Sequence, residues 1–153
     1  MRQKDCEALH KRLAQRFRPK TVIVGVGNEL RGDDAAGSLV AKKLVEHLSE
    51  DAADQIIVAI DGTDVPENYV GPILETSPRQ VAFCDAVDFG GRPGKIQLFE
   101  LDELAQRMAT THRSSLSLLG RVLAARGISN QFIIGIQPKQ TAFGSAPSPE
   151  IAR

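Results

Sequence analysis

The sequence predicts an α/β protein built on a mostly parallel sheet with helices between the strands. Three short runs rich in β-branched residues, at 21–26, 56–61 and 80–87, are apolar on both faces, as buried parallel strands are. Between the first two runs, the stretch from Asp33 to Leu48 carries apolar residues at helical spacing. Strand, helix and strand in this order predict a βαβ unit, whose two strands lie parallel in one sheet.

The chain, with 153 residues, is long enough for one domain with its own core, and we expect residues 1–153 to form a single domain. Residues 1–19 are predicted to form an N-terminal helical extension, because apolar side chains recur at three- and four-residue spacing over 4–17. These side chains are Cys6, Leu9, Leu13 and Phe17. Pro19 ends this helix.

The middle of the chain predicts a short helix and a strand that runs antiparallel to its neighbour or lies at an edge of the sheet. The stretch 66–76 begins with proline and glutamate, which favours a helix start, and Gly71-Pro72 is expected to shorten or kink that helix. The connection from Val87 to Lys95 is too short for a crossover helix, so we expect KIQLFEL (95–101) to pair antiparallel or to lie at an edge. The predicted sheet is therefore mixed.

The last third of the chain predicts two helices, a buried strand and a tail. A short helix is expected around 101–108, and a longer one over 114–126 with Ser114 or Ser115 as its N-cap. The run QFIIGI predicts the final buried strand. After Pro138 the composition turns to Gly, Ser, Pro and Ala, which predicts an irregular tail over 139–153.

Composition excludes several classes of function. The chain has 19 Lys and Arg residues and 19 Asp and Glu residues, so it lacks the excess of positive charge that binds nucleic acid or an anionic membrane. No apolar run is long enough to span a bilayer, and the basic N-terminal segment lacks the apolar core of a signal peptide. The two cysteines, Cys6 and Cys84, suit a reducing compartment. We therefore expect a cytoplasmic protein, acting as a monomer.

Acidic side chains follow every predicted parallel strand at its carboxyl end, where open α/β sheets bind ligands. Taken alone, Asp33 would be a helix cap or a first-turn acid. Several carboxylates at one edge of a sheet repel each other unless a cation or a proton intervenes, so the set predicts a metal site. The polar residues at this edge are Asn28, Asp33, Asp34, Asp61, Asp85 and Asp88.

A metal of the borderline class also favours a nitrogen ligand. His112 lies in the loop TTHRSS just before a helix and is the histidine best placed to reach the edge of the sheet, whereas His10 and His47 are expected to face solvent. A Cys84–His112 nucleophilic pair is disfavoured, because neighbouring residues of a strand point to opposite faces and Asp85 is expected to point toward the site.

A dinucleotide-binding fold is the competing interpretation of the first strand and its loop. Gly25-Val26-Gly27 follows a strand, and Asp61 ends the next one, where a ribose-binding acid would stand. The third glycine of that fingerprint, however, falls on Leu30. Asp33 and its neighbour Asp34 would also oppose a pyrophosphate at the helix N-terminus.

Five motifs together carry a resemblance to a known family. They are GVGNELRGDDAAG (25–37), DGTDVPEN (61–68), VAFCDAVDFGGRPGKI (81–96), TTH (110–112) and GIQP (135–138). In the same order and at similar spacing they occur in the hydrogenase maturation endopeptidases, and the chain most resembles the type that serves hydrogenase 3. The resemblance implies a three-layer α/β/α sandwich around a twisted five-stranded sheet with one antiparallel strand.

The same resemblance implies a function and a site. Members of this family remove a C-terminal peptide from the precursor of a nickel-iron hydrogenase large subunit after nickel has been inserted.

The resemblance also implies that Asp34, Asp85 and His112 match the metal-binding positions, and that Asp61 matches an acid linked to substrate choice. The nickel would come with the precursor, and other divalent ions could replace it. Asp61 or Asp88 could act as a base. A non-catalytic chaperone that reads the nickel site is the other function left open.

Overall fold

The structure is a computed structural model that describes residues 3–47, 57–101, 103, 110 and 112–152. A five-stranded sheet with the strand order β2-β1-β3-β5-β4 forms its centre. In chain order the elements are helix α1 (Gln3–Arg16), strand β1 (Thr21–Gly25), helix α2 (Ala36–His47), strand β2 (Ile57–Asp61), helix α3 (Val70–Glu75), strands β3 (Gln80–Ala86) and β4 (Ile96–Glu100), helix α4 (Arg113–Ala125), strand β5 (Gln131–Ile136) and helix α5 (Pro149–Ala152). Short 3₁₀ helices, Gly32–Ala35 and Pro66–Tyr69, lead into α2 and α3.

Helices cover both faces of the sheet, which confirms the predicted α/β/α sandwich. Alternate residues of the buried strands point to opposite faces, so each face has its own apolar cluster. Val24 and Phe83 pack with side chains of α3 and α4 on one face. Ile23 and Cys84 pack on the other face with side chains of α2 and α5 and with Phe17, which follows α1. The central strands β1 and β3 are buried along their whole length.

The connections of β1 and β3 create a crevice at one edge of the sheet. After β1 the chain forms α2 on one face of the sheet and then β2, which lies on one side of β1. It next forms α3 on the opposite face and then β3, which lies on the other side of β1. β1 pairs parallel with both β2 and β3. Where crossovers leave neighbouring strands toward opposite faces, the carboxyl ends of those strands form a binding crevice. In this sheet that crevice lies between β1 and β3.

The predicted antiparallel strand is confirmed. β4 pairs antiparallel with β5, with Ile96 opposite Ile136 and Glu100 opposite Phe132, and it is the edge strand on that side. The remaining pairs of the sheet are parallel. The short connection before β4 explains this, since a parallel return would have needed a crossover of a dozen residues or more.

The helix predictions for 66–76 and 114–126 had different outcomes. The stretch 66–76 forms a 3₁₀ helix and a six-residue α3, so the α-helix is short, as predicted, and Pro72 falls in its first turn, where the missing amide proton has no helical acceptor to lose. The prediction that Ser114 or Ser115 caps α4 was wrong. The helix begins at Arg113 with His112 at the N-cap position, and no side chain caps it. Its start is set by the tertiary contacts of His112 described below.

The C-terminal segment is more ordered than an irregular tail. Residues 139–148 contain no helix or strand, but α5 follows them and contributes Ile151 to the apolar cluster beside Phe132. The helix predicted around 101–108 lies mostly outside the described residues. No helix in the described part of the chain has the length and apolar character needed to cross a bilayer.

Candidate active site

Three polar side chains from distant parts of the sequence meet in the crevice between β1 and β3. Asp34 lies in the 3₁₀ helix after β1, Asp85 is the penultimate residue of β3, and His112 precedes α4. His112 Nδ1 lies 3.1 Å from Asp85 Oδ1, and His112 Nε2 lies 3.9 Å from Asp34 Oδ2. The exposed fractions are 1% for Asp34, 0% for Asp85 and 6% for His112. The imidazole thus stands between two buried carboxylates.

Burial and neighbouring charges shift the pKa values of Asp85 and His112. Burial raises the pKa of Asp85, and the hydrogen bonds from His112 and Thr110 only partly offset that rise. For His112, burial by itself would lower the pKa, but the hydrogen bond to Asp85 and the charges of Asp85 and Asp34 raise it above its ordinary value. The two carboxylates therefore favour the protonated form of His112, whose positive charge would offset theirs.

The donor atoms suit a borderline divalent ion, since two carboxylates and an imidazole are the ligand types that such ions accept. In the described residues, however, no three His, Cys, Asp or Glu side chains are arranged so that they could hold a metal ion. Asp85 engages Nδ1 of His112, which leaves Nε2 turned toward Asp34. A metal ion binding here must displace the imidazole proton, because only the neutral ring donates an electron pair to a metal.

Two further residues contact the site: Thr110, which was not predicted as a site residue, and Asn28, which was among the polar residues predicted at this edge. Thr110 Oγ1 donates a 2.5 Å hydrogen bond to Asp85 Oδ2, so both oxygens of that carboxylate are engaged. The backbone amide of Asn28 lies 3.3 Å from Asp34 Oδ2, and its side-chain amide donates to Asp64. Thr110 is the first residue of the TTH motif, and its spacing from His112 was the only sequence signal of its role. These contacts orient the carboxylates, as outer-shell partners do in metal sites.

Asp61 and Asp88 make other contacts. Asp61 Oδ1 accepts a hydrogen bond from the Thr63 amide, and Asp61 Oδ2 lies 3.6 Å from Lys42 Nζ. Asp88 is exposed, and its Oδ1 accepts hydrogen bonds from Gln137 Nε2 and the Gly90 amide. Those two bonds lower the pKa of Asp88, which makes it a weaker base. A part for Asp61 in the reaction stays a prediction.

Cys84 belongs to the core. It packs on the face of the sheet opposite Asp85, and burial, together with the charge of Asp85, raises the pKa of its thiol to about 12. His10 and His47 are exposed, as expected. A thiolate nucleophile is therefore excluded at position 84, because the thiol stays protonated at neutral pH.

Thiol labelling tests this assignment. Cys6 is exposed and Cys84 buried, so iodoacetamide at about pH 8 should add one adduct to the folded protein, at Cys6, and a second only after unfolding. Peptide mass mapping of both samples locates the adducts. Rapid labelling of Cys84 in the folded protein would contradict a core role and reopen a cysteine mechanism.

Asp33, next to Asp34, has a structural task that its sequence position did not reveal. Its carboxylate is fully buried and accepts four hydrogen bonds, from the backbone amides of Lys139, Gln140 and Ser148 and from the Ser148 hydroxyl, at 2.5–3.2 Å. Burial would raise the pKa of Asp33, but these bonds together lower it below its ordinary value. Asp33 therefore fixes the segment 139–148, which we call the strap, against the loop that carries Asp34. Asp33 lies in the first turn of the 3₁₀ helix, as predicted for a first-turn acid, but it caps no helix.

Removing this carboxylate should loosen the strap. We expect Asp33→Ala to lower the free energy of unfolding by about 3 kcal/mol, because it leaves buried donors without an acceptor. Urea denaturation measures the loss, and limited trypsin digestion should show faster cleavage after Lys139. Asp88→Ala is the matched control, since it removes an exposed acceptor and should cost less than about 1 kcal/mol. Equal losses for the two variants would contradict the role given to Asp33.

The positions of Asp33 and Asp34 also contradict the dinucleotide-binding interpretation. Gly32–Ala35 directly precedes α2, and the buried carboxylates of Asp33 and Asp34 occupy the position where a helix N-terminus would bind phosphate. Their negative charges would repel a pyrophosphate. The crevice therefore does not suit a dinucleotide.

Comparison with known proteins gives a consistent result. The family profile described as hydrogenase maturation protease matches residues 38–153, a range that begins just after Asp34 and contains Asp85 and His112. The hydrogenase 3 maturation protease of Escherichia coli (strain K12) is 37% identical over 123 residues, which cover 80% of this chain and 75% of that protein.

Solved structures agree with the sequence comparisons. The crystal structure of a nickel-iron hydrogenase maturation protease from Thermococcus kodakarensis KOD1 superposes with a TM-score of 0.77 at 31% identity, covering 94% of this chain and 88% of that one. The solution structure of an endopeptidase from Escherichia coli superposes with a TM-score of 0.69 at 28% identity, covering 87% and 82%. Profile, sequence and structure thus confirm the resemblance that the motifs indicated: this chain belongs to the hydrogenase maturation protease family.

Proposed function

We propose that this protein is an endopeptidase that removes the C-terminal peptide from the nickel-loaded precursor of a nickel-iron hydrogenase large subunit, with nickel as the recognition element. It acts on this partner as a cytoplasmic monomer. The observation that supports the proposal most is the buried imidazole of His112 between the carboxylates of Asp34 and Asp85. Membership of a family of maturation proteases supports the hydrolytic part.

Recognition of nickel follows from the charge of the site. Two buried carboxylates are stable only with a compensating positive charge, which a protonated His112 would supply in the free protein. The nickel ion of a loaded precursor would take over that task, with the carboxylates of Asp34 and Asp85 and the imidazole of His112 as its ligands after these side chains rearrange around it. An empty precursor brings no cation and leaves the proton in place. Other divalent ions offer the same charge and can substitute for nickel.

Hydrolysis would use the same ion. A bound divalent cation polarises a carbonyl group and lowers the pKa of a bound water molecule, and either effect promotes cleavage of a peptide bond. Asp61 is the remaining candidate for a base, whereas the lowered pKa of Asp88 disfavours it.

Cleavage of a purified large-subunit precursor tests the proposal. We expect the wild-type protein to shorten the nickel-loaded precursor and to leave the unloaded precursor intact, with mass spectrometry locating the cut. Equal cleavage of both forms would contradict recognition through nickel. Binding of the loaded precursor without cleavage would instead identify a chaperone.

A further inference from the structure

Two large apolar side chains next to the active site are almost fully open to solvent. Phe143 is 74% exposed and Leu30 is 62% exposed, more than any other large hydrophobic side chain in the described part of the chain. They come from different segments, since Leu30 lies in the loop after β1 and Phe143 lies in the strap. An exposed aromatic side chain with an apolar neighbour at the border of a polar site is typical of a surface that binds another protein.

The two side chains belong to one surface. The Gly144 amide donates a 2.7 Å hydrogen bond to the Leu30 carbonyl, which places the backbone beside Phe143 against the backbone of Leu30. The Gly32 amide donates to the Ser145 carbonyl, and the Asp33 amide donates to the Gln140 carbonyl. We call the surface formed by Leu30 and Phe143 the apolar patch.

The apolar patch is held in place before any partner binds. The strap that carries Phe143 is fixed at both ends by the buried carboxylate of Asp33, through Lys139 and Gln140 on one side and Ser148 on the other. Side chains on a fixed backbone bind with a smaller loss of conformational entropy than side chains on a loose loop. The hydrogen bonds of Asp33 thus hold both ends of the backbone segment that carries Phe143.

The apolar patch is connected to Asp34 by hydrogen bonds. The Leu30 amide donates a 2.9 Å hydrogen bond to Asn28 Oδ1, and the Asn28 amide lies 3.3 Å from Asp34 Oδ2. One residue, Asn28, therefore connects Leu30 to Asp34. The loop that carries Leu30 therefore borders the site formed by Asp34, Asp85 and His112.

We propose that the apolar patch binds an apolar segment of the hydrogenase large-subunit precursor next to its cleavage site, with Phe143 as the anchoring side chain. This assignment rests on the proposed function, because the precursor is the occupant. It gives the enzyme a second contact with its substrate that does not depend on nickel. The patch then sets how tightly the precursor binds, and the three buried side chains set whether it is cut.

Single substitutions separate these two contributions. Leu30→Ser and Phe143→Ser should each weaken binding of the nickel-loaded precursor, measured by titration calorimetry, by at least about tenfold, which is the loss expected for an anchoring side chain. In cleavage assays KM should rise by a similar factor while kcat stays unchanged, because the patch does not touch the reacting atoms. Phe143→Tyr keeps the ring and should retain binding close to that of the wild type.

Val45→Ser is the matched control. Val45 is 55% exposed but lies near the C-terminal end of α2, away from the loop that carries Asp34, so its replacement should change neither affinity nor KM. Affinities of Leu30→Ser and Phe143→Ser within twofold of the wild type, or losses equal to that of Val45→Ser, would overturn the proposal. Because affinity is measured directly, a wild-type protein that binds but does not cut would refute the proposed function and still decide the role of the patch.

Discussion

Replacing Asp85 with asparagine is expected to reduce cleavage of the nickel-loaded precursor by at least about a thousandfold. Asparagine has nearly the same shape and still accepts a hydrogen bond, but it brings no negative charge to His112 or to a metal ion. The variant therefore lacks the negative charge of Asp85, which would attract both the imidazole of His112 and the metal ion. A single-turnover assay with excess enzyme measures the rate without interference from product release.

The fold should survive this substitution. Burial raises the pKa of Asp85, which means that the ionised carboxylate is costly where it lies, and a neutral amide removes that cost. We expect the melting temperature of Asp85→Asn to equal or exceed that of the wild type. Cys84→Ala is the control on the opposite face of the same strand and should keep its activity within about threefold. An Asp85→Asn enzyme that cuts at the wild-type rate would contradict the assignment of this residue.

Replacing Gly37 with alanine is expected to lower the free energy of unfolding by at least about 3 kcal/mol. An ideal Cβ atom at this position would lie 2.0 Å from the Cys84 carbonyl oxygen and 2.2 Å from that of Val26. Both are backbone atoms of the central sheet and cannot move aside as a side chain can. In a solvent-exposed helix the same change would stabilise the protein by up to about 1 kcal/mol.

Gly71→Ala is the matched control, since Gly71 is also helical and a Cβ atom there would have no neighbour within 4 Å. Urea denaturation of both variants gives the comparison, and only Gly37→Ala should be destabilised. The clash matters for the site because the Val26 amide bonds to the Cys84 carbonyl, directly between the loop of Asp34 and the strand of Asp85. A Gly37→Ala protein as stable as the wild type would show that α2 packs less closely on β1 and β3 than described.

Local patterns in the sequence were enough to predict the sheet and its layers. Buried parallel strands need apolar side chains on both faces, and the runs at 21–26, 56–61 and 80–87 show that pattern without ambiguity. The length of the connection before β4 was enough to predict its direction. The strand order, and with it the crevice between β1 and β3, followed only from the structure, because pairing of β1 with both neighbours is a long-range property.

Errors arose where a distant contact decided the local structure. A serine was predicted to cap α4, but the helix starts at His112, whose ring is held by Asp85 from another strand. Asp33 resembled a helix cap in the sequence, yet its acceptors are used by a segment more than a hundred residues away. Neither partner could be identified from spacing along the chain, since the energy of such contacts depends on tertiary burial.

The site residues were easier to predict than their arrangement. The pattern of strands and loops marked several acids at the carboxyl ends of parallel strands together with His112, and the family resemblance selected Asp34, Asp85 and His112 from that set. That the imidazole stands between the two carboxylates, with a separate ring nitrogen toward each, required coordinates.

Nickel K-edge X-ray absorption on the loaded precursor tests the central claim most directly. The precursor would be mixed with the wild-type protein, frozen before cleavage, and compared with the precursor alone and with the His112→Ala variant. If Asp34, Asp85 and His112 bind the nickel of the substrate, the wild-type protein adds nitrogen and oxygen scatterers to the metal, and His112→Ala adds one nitrogen fewer. A nickel spectrum that is identical with and without the wild-type protein, under conditions where the two proteins are bound, would contradict the account.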